Sequence, residues 1–143
     1  MNVVLGIIVV ALSLLAWIGQ ALAFLAPSTA VRWQLMEAED TVDPVFWADI
    51  RAEALWDTLT LWVMVAAGVG LIVDSSTWPY FGLVGGGIYL YFGGRGICAR
   101  VTMTQRGLRI GAPKSVGVGI AFLALWTAMA LITIVAAVVT LTS

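Results

Sequence analysis

At 143 residues, 62% hydrophobic and 10% charged, with a mean hydropathy of +1.03, the chain is far too apolar for a soluble domain. A bilayer core takes about 20 apolar residues per helix, so four spans use more than half the chain and leave no room for a soluble domain. The net charge of −1 is uninformative as a sum, but no His and one Cys (Cys98) exclude a bis-His haem, a His-ligated metal, a Cys-rich zinc site and an intrachain disulfide.

Span one covers residues 3–25 and carries no charge. Met1–Phe24 could pass for a signal peptide with Ala21-Leu22-Ala23 as its cleavage site. It lacks a basic n-region, however, and its apolar run exceeds the 7–15 residues of an h-region, so it reads as a retained span. Gln20, the one strongly polar residue, falls with Ser13, Trp17 and Phe24 on one helical stripe. That stripe is expected to face other helices, with Gln20 in a helix-to-helix hydrogen bond.

Pro27-Ser28-Thr29 marks a break, and Val31–Ala38 is expected to form a short interfacial helix with Trp33 at headgroup level. Asp43-Pro44 then starts a helix, Asp as N-cap and Pro at N1. Nothing interrupts it up to Val73: 30 residues, about 45 Å at 1.5 Å each. The hydrocarbon layer is about 30 Å, so the membrane part is residues 57–73 and the first turns, with Asp49, Arg51 and Glu53, project from it.

Asp74–Trp78 reads as a tight turn, and span three covers residues 78–97. Span three is rich in glycine, and Gly82-x-x-x-Gly86 fits the small-xxx-small pattern of close membrane helices. Residues 98–114 form a basic connection in which Val101, Met103, Leu108 and Ile110 suit a short hairpin. Cys98 is expected to be a small buried side chain, and span four covers residues 115–141.

All seven bases then fall on one side. Arg32 and Arg51 lie in the connection of residues 26–56. Arg95, Arg100, Arg106, Arg109 and Lys114 lie in or beside the connection of residues 98–114. Basic short loops stay cytoplasmic. The expected architecture is therefore all-α, a single four-helix membrane bundle over residues 1–143, in a bacterial-type cell (inner) membrane. Both termini are outside, and span two extends into the cytoplasm.

The short turn makes spans two and three antiparallel neighbours. A mirror centred on Ser76 sets Ala66 and Gly70 against Gly86 and Gly82. It also sets Asp57 level with Arg95, and Glu53 level with Arg100. The expected ion pairs are Asp57–Arg95 and Glu53–Arg100.

Asp49, Glu53 and Asp57 form one acidic stripe at i, i+4, i+8. Residues 27–57 sum to −5 and residues 95–114 to +5, so the two connections are expected to collapse into a neutral collar. A cation-attracting vestibule is the alternative use of the stripe. Arg106, Arg109 and Lys114 could instead bind anionic lipid headgroups. Trp33, Trp47, Trp56 and Trp78 suit interfacial belts.

No catalytic, cofactor or metal motif is found, and no nucleic-acid partner is expected. The favoured role is structural, accessory or partner-binding, assembling through small-residue helix faces and the charged collar, alone or as a homo-oligomer. The alternative is a homo-oligomeric channel or transporter. An enzyme using Glu53 or Asp57 as acid or base, with Arg100 or Arg106 holding a phosphate, ranks last.

Overall fold

The computed structural model describes residues 2–143. The fold is all-helical, 84% helix, and the expected hairpin after residue 101 is absent because its first residues continue a helix. The elements are α1 (Asn2–Leu25), α2 (Pro27–Arg32), α3 (Pro44–Thr60), α4 (Trp62–Ile72), α5 (Trp78–Gln105) and α6 (Pro113–Thr142), with a 3₁₀ turn at Glu39–Thr41. Three stretches are long and apolar enough to cross a membrane: Val3–Leu25, Pro44–Ile72 and Pro113–Thr142. At 28 residues α5 is as long as these, but glycines, tyrosines and two arginines dilute its apolar character.

The short helix begins at Pro27 rather than at Val31. Pro27 sits in its first turn, where a missing N–H costs nothing. Trp33 caps it and Gln34 turns the chain with φ +58°. The long second helix is interrupted at Leu61, where no Gly or Pro announces a break. The cause is competition for carbonyls. Thr58 and Thr60 hydroxyls donate to the Ala54 and Trp56 carbonyls at 2.6 and 2.9 Å, and Trp62 Nε1 donates to Leu59 O at 3.0 Å. From α1, Trp17 Nε1 donates to Thr58 O at 2.8 Å. Side-chain donors drawn into the i→i−4 ladder bend a helix.

α4 ends in a Schellman-type turn. Ser75 N–H donates to Gly70 O at 2.9 Å, and Asp74 takes the left-handed position with φ +52°. α5 therefore folds back at once. Three helix-to-helix approaches depend on missing side chains. A Cβ at Gly68 would lie 2.7 Å from Val10 Cγ2, and one at Gly85 would lie 2.9 Å from both Cα and N of Met64. Along α5, Gly82, Gly86, Gly93 and Gly96 meet Ala137, Ile134, Thr127 and Leu123 of α6.

α1 packs on α3 and α4, α4 on α5, and α5 on α6, whereas α1 and α6 meet only briefly. The central core joins Val9, Leu61, Met64, Tyr89, Phe92 and Met129. Tyr89 is fully buried, and its hydroxyl donates to Ser13 O at 2.9 Å. Trp78, expected at an interface, is buried with Leu71 and Ala137 because Gly70 and Gly82 clear room for its ring. Cys98, expected to be buried, is exposed on the outer side of α5.

The connections at the opposite end from the Asp74 turn are tied by backbone. Asp43 N–H donates to Arg109 O at 2.8 Å, and the Asp43 carboxylate accepts from Arg109 N–H. Asp43 holds the N-cap position of α3 without capping it, its carboxylate spent on the other connection. Beneath this clasp, Val42, Phe46 and Ile110 are buried together with Met103 and Leu108 packed against them. Of the apolar residues that suggested a hairpin, Met103, Leu108 and Ile110 serve this cluster instead, and Val101 is exposed.

Candidate functional site

The charged residues gather where α3 crosses α5. Helical spacing puts Asp49, Glu53 and Asp57 on one face of α3, and Arg95 comes from the second half of α5. Arg95 takes Asp49 in a two-pronged grip, Nη1 to Oδ2 at 3.0 Å and Nη2 to Oδ1. Glu53 Oε1 lies 3.4 Å from Arg95 Nη1, an ion pair without hydrogen-bond geometry. A planar guanidinium matches a carboxylate in this way and a lysine could not.

The expected pairs are thus replaced. Arg95 pairs with Asp49 and Glu53 rather than Asp57, and Glu53 pairs with Arg95 rather than Arg100. The mirror axis explains the change. Gly70 lies on Trp78, and Gly85 on Met64, so the hairpin is symmetric about Asp74 and not Ser76. About Asp74, the residue level with Arg95 is Glu53. The same offset redirects the small residues: Gly70 accommodates Trp78, Gly82 and Gly86 turn to α6, and Ala66 is only half-buried.

Asp57 is left 4% exposed, with no cation in ion-pair contact among the described residues and with Oδ2 lacking any hydrogen bond. A buried unpaired carboxylate costs more than its neutral isostere. Asp57→Asn is therefore expected to stabilise the protein by about 1 kcal/mol or more, read as a higher thermal midpoint in detergent. A lowered midpoint would show that the carboxylate has a partner.

Of the expected neutral collar, only the Arg95 pairing with Asp49 and Glu53 forms through side chains among the described residues. Arg32, Arg106, Arg109 and Lys114 are exposed and make no ion pair among the described residues. Arg51 turns to the C-terminal carbonyls of α1, donating to Ala23 O and, at 2.8 Å, to Phe24 O, with its guanidinium 5.7 Å from the Phe24 ring centre. A cation at a helix C-terminus satisfies orphan carbonyls.

Arg100 and Gln20 both line a cleft of about 770 Å³ between α1 and α6. Gln20 forms no side-chain hydrogen bond there, in place of the helix-to-helix bond expected of it. Arg100 Nη1 donates to Gly96 O at 3.1 Å, and its guanidinium lies 5.8 Å from the Phe46 ring centre. Burial lowers the Arg100 pKa from its ordinary value, and the Glu53 and Asp49 carboxylates oppose that shift from beyond contact distance. Nothing in the spacing of the sequence pointed to this cleft. Its only trace was Gln20, one amide in an otherwise apolar span.

Comparison of the chain with protein-family models, with curated proteins and with solved structures returned no match.

Proposed function

We propose that this chain is a four-span membrane bundle, α5 supplying the third span, with both termini outside and the connections 26–56 and 98–114 in the cytoplasm of a bacterial-type cell membrane. Its role is that of a non-catalytic binding component: a structural or accessory subunit whose charged cytoplasmic end docks a partner. The observation that carries this reading is the division of labour among the bases. Arg95 and Arg51 are consumed inside the fold, while Arg32, Arg106, Arg109 and Lys114 stand exposed and make no ion pair among the described residues. Exposed cations of one sign favour an acidic partner surface or anionic headgroups.

Native mass spectrometry of the protein extracted from its own host, combined with reporter fusions, tests this. A C-terminal periplasmic reporter is expected to be active and one inserted after Gln105 inactive. A stoichiometric subunit is expected to co-purify and to dissociate when Arg106 and Arg109 are replaced by Glu. Reversed reporter activities, or a complex indifferent to those changes, would refute the reading.

The buried unpaired Asp57 favours one alternative, a homo-oligomeric channel or transporter with an acidic cytoplasmic vestibule. Its signature is ion flux into liposomes that Asp57→Asn alters. Flux identical in the two proteins would dispose of it.

A further inference from the structure

The cleft between α1 and α6 has two dissimilar ends. Its inner end is closed by aromatics: Trp126 Nε1 donates across to Leu12 O at 2.9 Å, and Phe92 and Phe122 each stack on Trp126 with ring centres 5.6 Å away. Its other end reaches Ser115 at the start of α6 and is flanked by Lys114. From Ser115 to Trp126 the helix rises about 16 Å. That is half of the roughly 30 Å hydrocarbon layer, the depth of one leaflet.

Arg100 sits in this cleft in an unusual posture. A long basic side chain near a membrane surface ordinarily extends to water. Here the guanidinium folds back along its own helix to the Gly96 carbonyl, and its Nε lies 3.7 Å from where a Cβ on Gly119 would stand. Among the described residues it has no carboxylate in ion-pair contact. One of its five N–H donors is used within the protein. Two acids also line the cleft: Glu53 is paired with Arg95, and the Glu37 carboxylate lies beside Gly111.

We propose that the cleft holds one phospholipid of the adjoining leaflet, its phosphate on the Arg100 guanidinium with Lys114 at the mouth, and an acyl chain running along α6 to Trp126. Guanidinium and phosphate form paired charge-assisted hydrogen bonds. The Leu15, Ala16, Phe122 and Leu123 walls supply the apolar track, which gains with each buried methylene. A free phosphate would leave that track empty. The inference rests on the membrane-spanning orientation proposed above.

The test is native mass spectrometry of the full chain released from nanodiscs containing phosphatidylglycerol, phosphatidylethanolamine and diacylglycerol. One phospholipid per chain is expected to remain bound, with diacylglycerol not retained and millimolar inorganic phosphate failing to displace it. Arg100→Ala is expected to weaken retention about tenfold, the worth of a charge-assisted bond. Gly19→Leu fills the cleft from a position where a Cβ meets open space, so it leaves the packing intact and is expected to abolish retention. Gln105→Ala, exposed and outside the cleft, is expected to leave lipid retention unchanged. Equal retention by wild type, Arg100→Ala and Gly19→Leu, or equal retention of diacylglycerol, overturns the proposal. If Arg100→Ala fails to fold, Gly19→Leu alone decides. Reporter fusions read the orientation separately, so a wrong topology and an empty cleft give different results.

Discussion

Gly85→Ala is expected to lower the stability of the protein by about 1–3 kcal/mol, seen as a lower thermal midpoint and earlier unfolding in a denaturing-detergent titration. The added methyl would sit 2.9 Å from the Cα and N of Met64. These are backbone atoms of a packed helix, and no rotamer change relieves them, so α4 and α5 must separate. The gain in helix propensity, about 1 kcal/mol for Gly to Ala, offsets part of that cost. Gly87 and Gly94 provide the contrast on the same helix. A Cβ at either meets nothing within 4 Å, so alanine there is expected to be neutral or stabilising by up to about 1 kcal/mol. Equal behaviour of the Gly85 and Gly87 variants would show that the α4–α5 contact is looser than described.

Arg95→Ala is the second large loss, about 2 kcal/mol. Two carboxylates, Asp49 at 22% and Glu53 at 11% side-chain exposure, would be left facing each other without a cation. The loss falls below that of a fully buried pair because Arg95 is itself 34% exposed and water reaches the grip. Arg95→Lys is expected to recover only part of the loss, since an ammonium cannot hold both Asp49 oxygens in one plane. The decisive measurement is a double-mutant cycle with Asp49→Ala. If the two truncations add without coupling, the ion pair contributes nothing and α3 is held to α5 by packing alone.

Much of the architecture was legible before any coordinates. Apolar run lengths pointed to four spans, of which three correspond to helices long and apolar enough to cross a membrane; Asp43-Pro44 marked the start of α3, and a turn after Val73 was legible but centred two residues late. The meeting of α3 acids with an α5 arginine was also foreseen, but with the wrong acid. A two-residue error in the centre of a turn shifts the level partner by four residues, about one helical turn. That moves Arg95 from Asp57 to Glu53, on the same face of α3 and one turn nearer Asp49. The tight turn at Asp74 was therefore the missing piece, and its left-handed aspartate is not a residue that composition flags. The break at Leu61 was invisible for a different reason: one of the donors that compete for its carbonyls comes from another helix, 41 residues away. The cleft was hidden likewise, because a gap is defined by two helices that fail to touch and leaves no periodicity in either.

The bond from Trp17 to the Thr58 carbonyl carries a consequence for how the protein is made. The interruption of the second long helix at Leu61 is partly held by a brace from α1. A hairpin of α3, α4 and α5 expressed without α1 would keep its threonine bonds but lose that brace, and would settle straighter than in the whole protein. Synthesis from the N-terminus supplies the brace before the segment that leans on it, so biogenesis itself delivers the parts in the order the native shape requires.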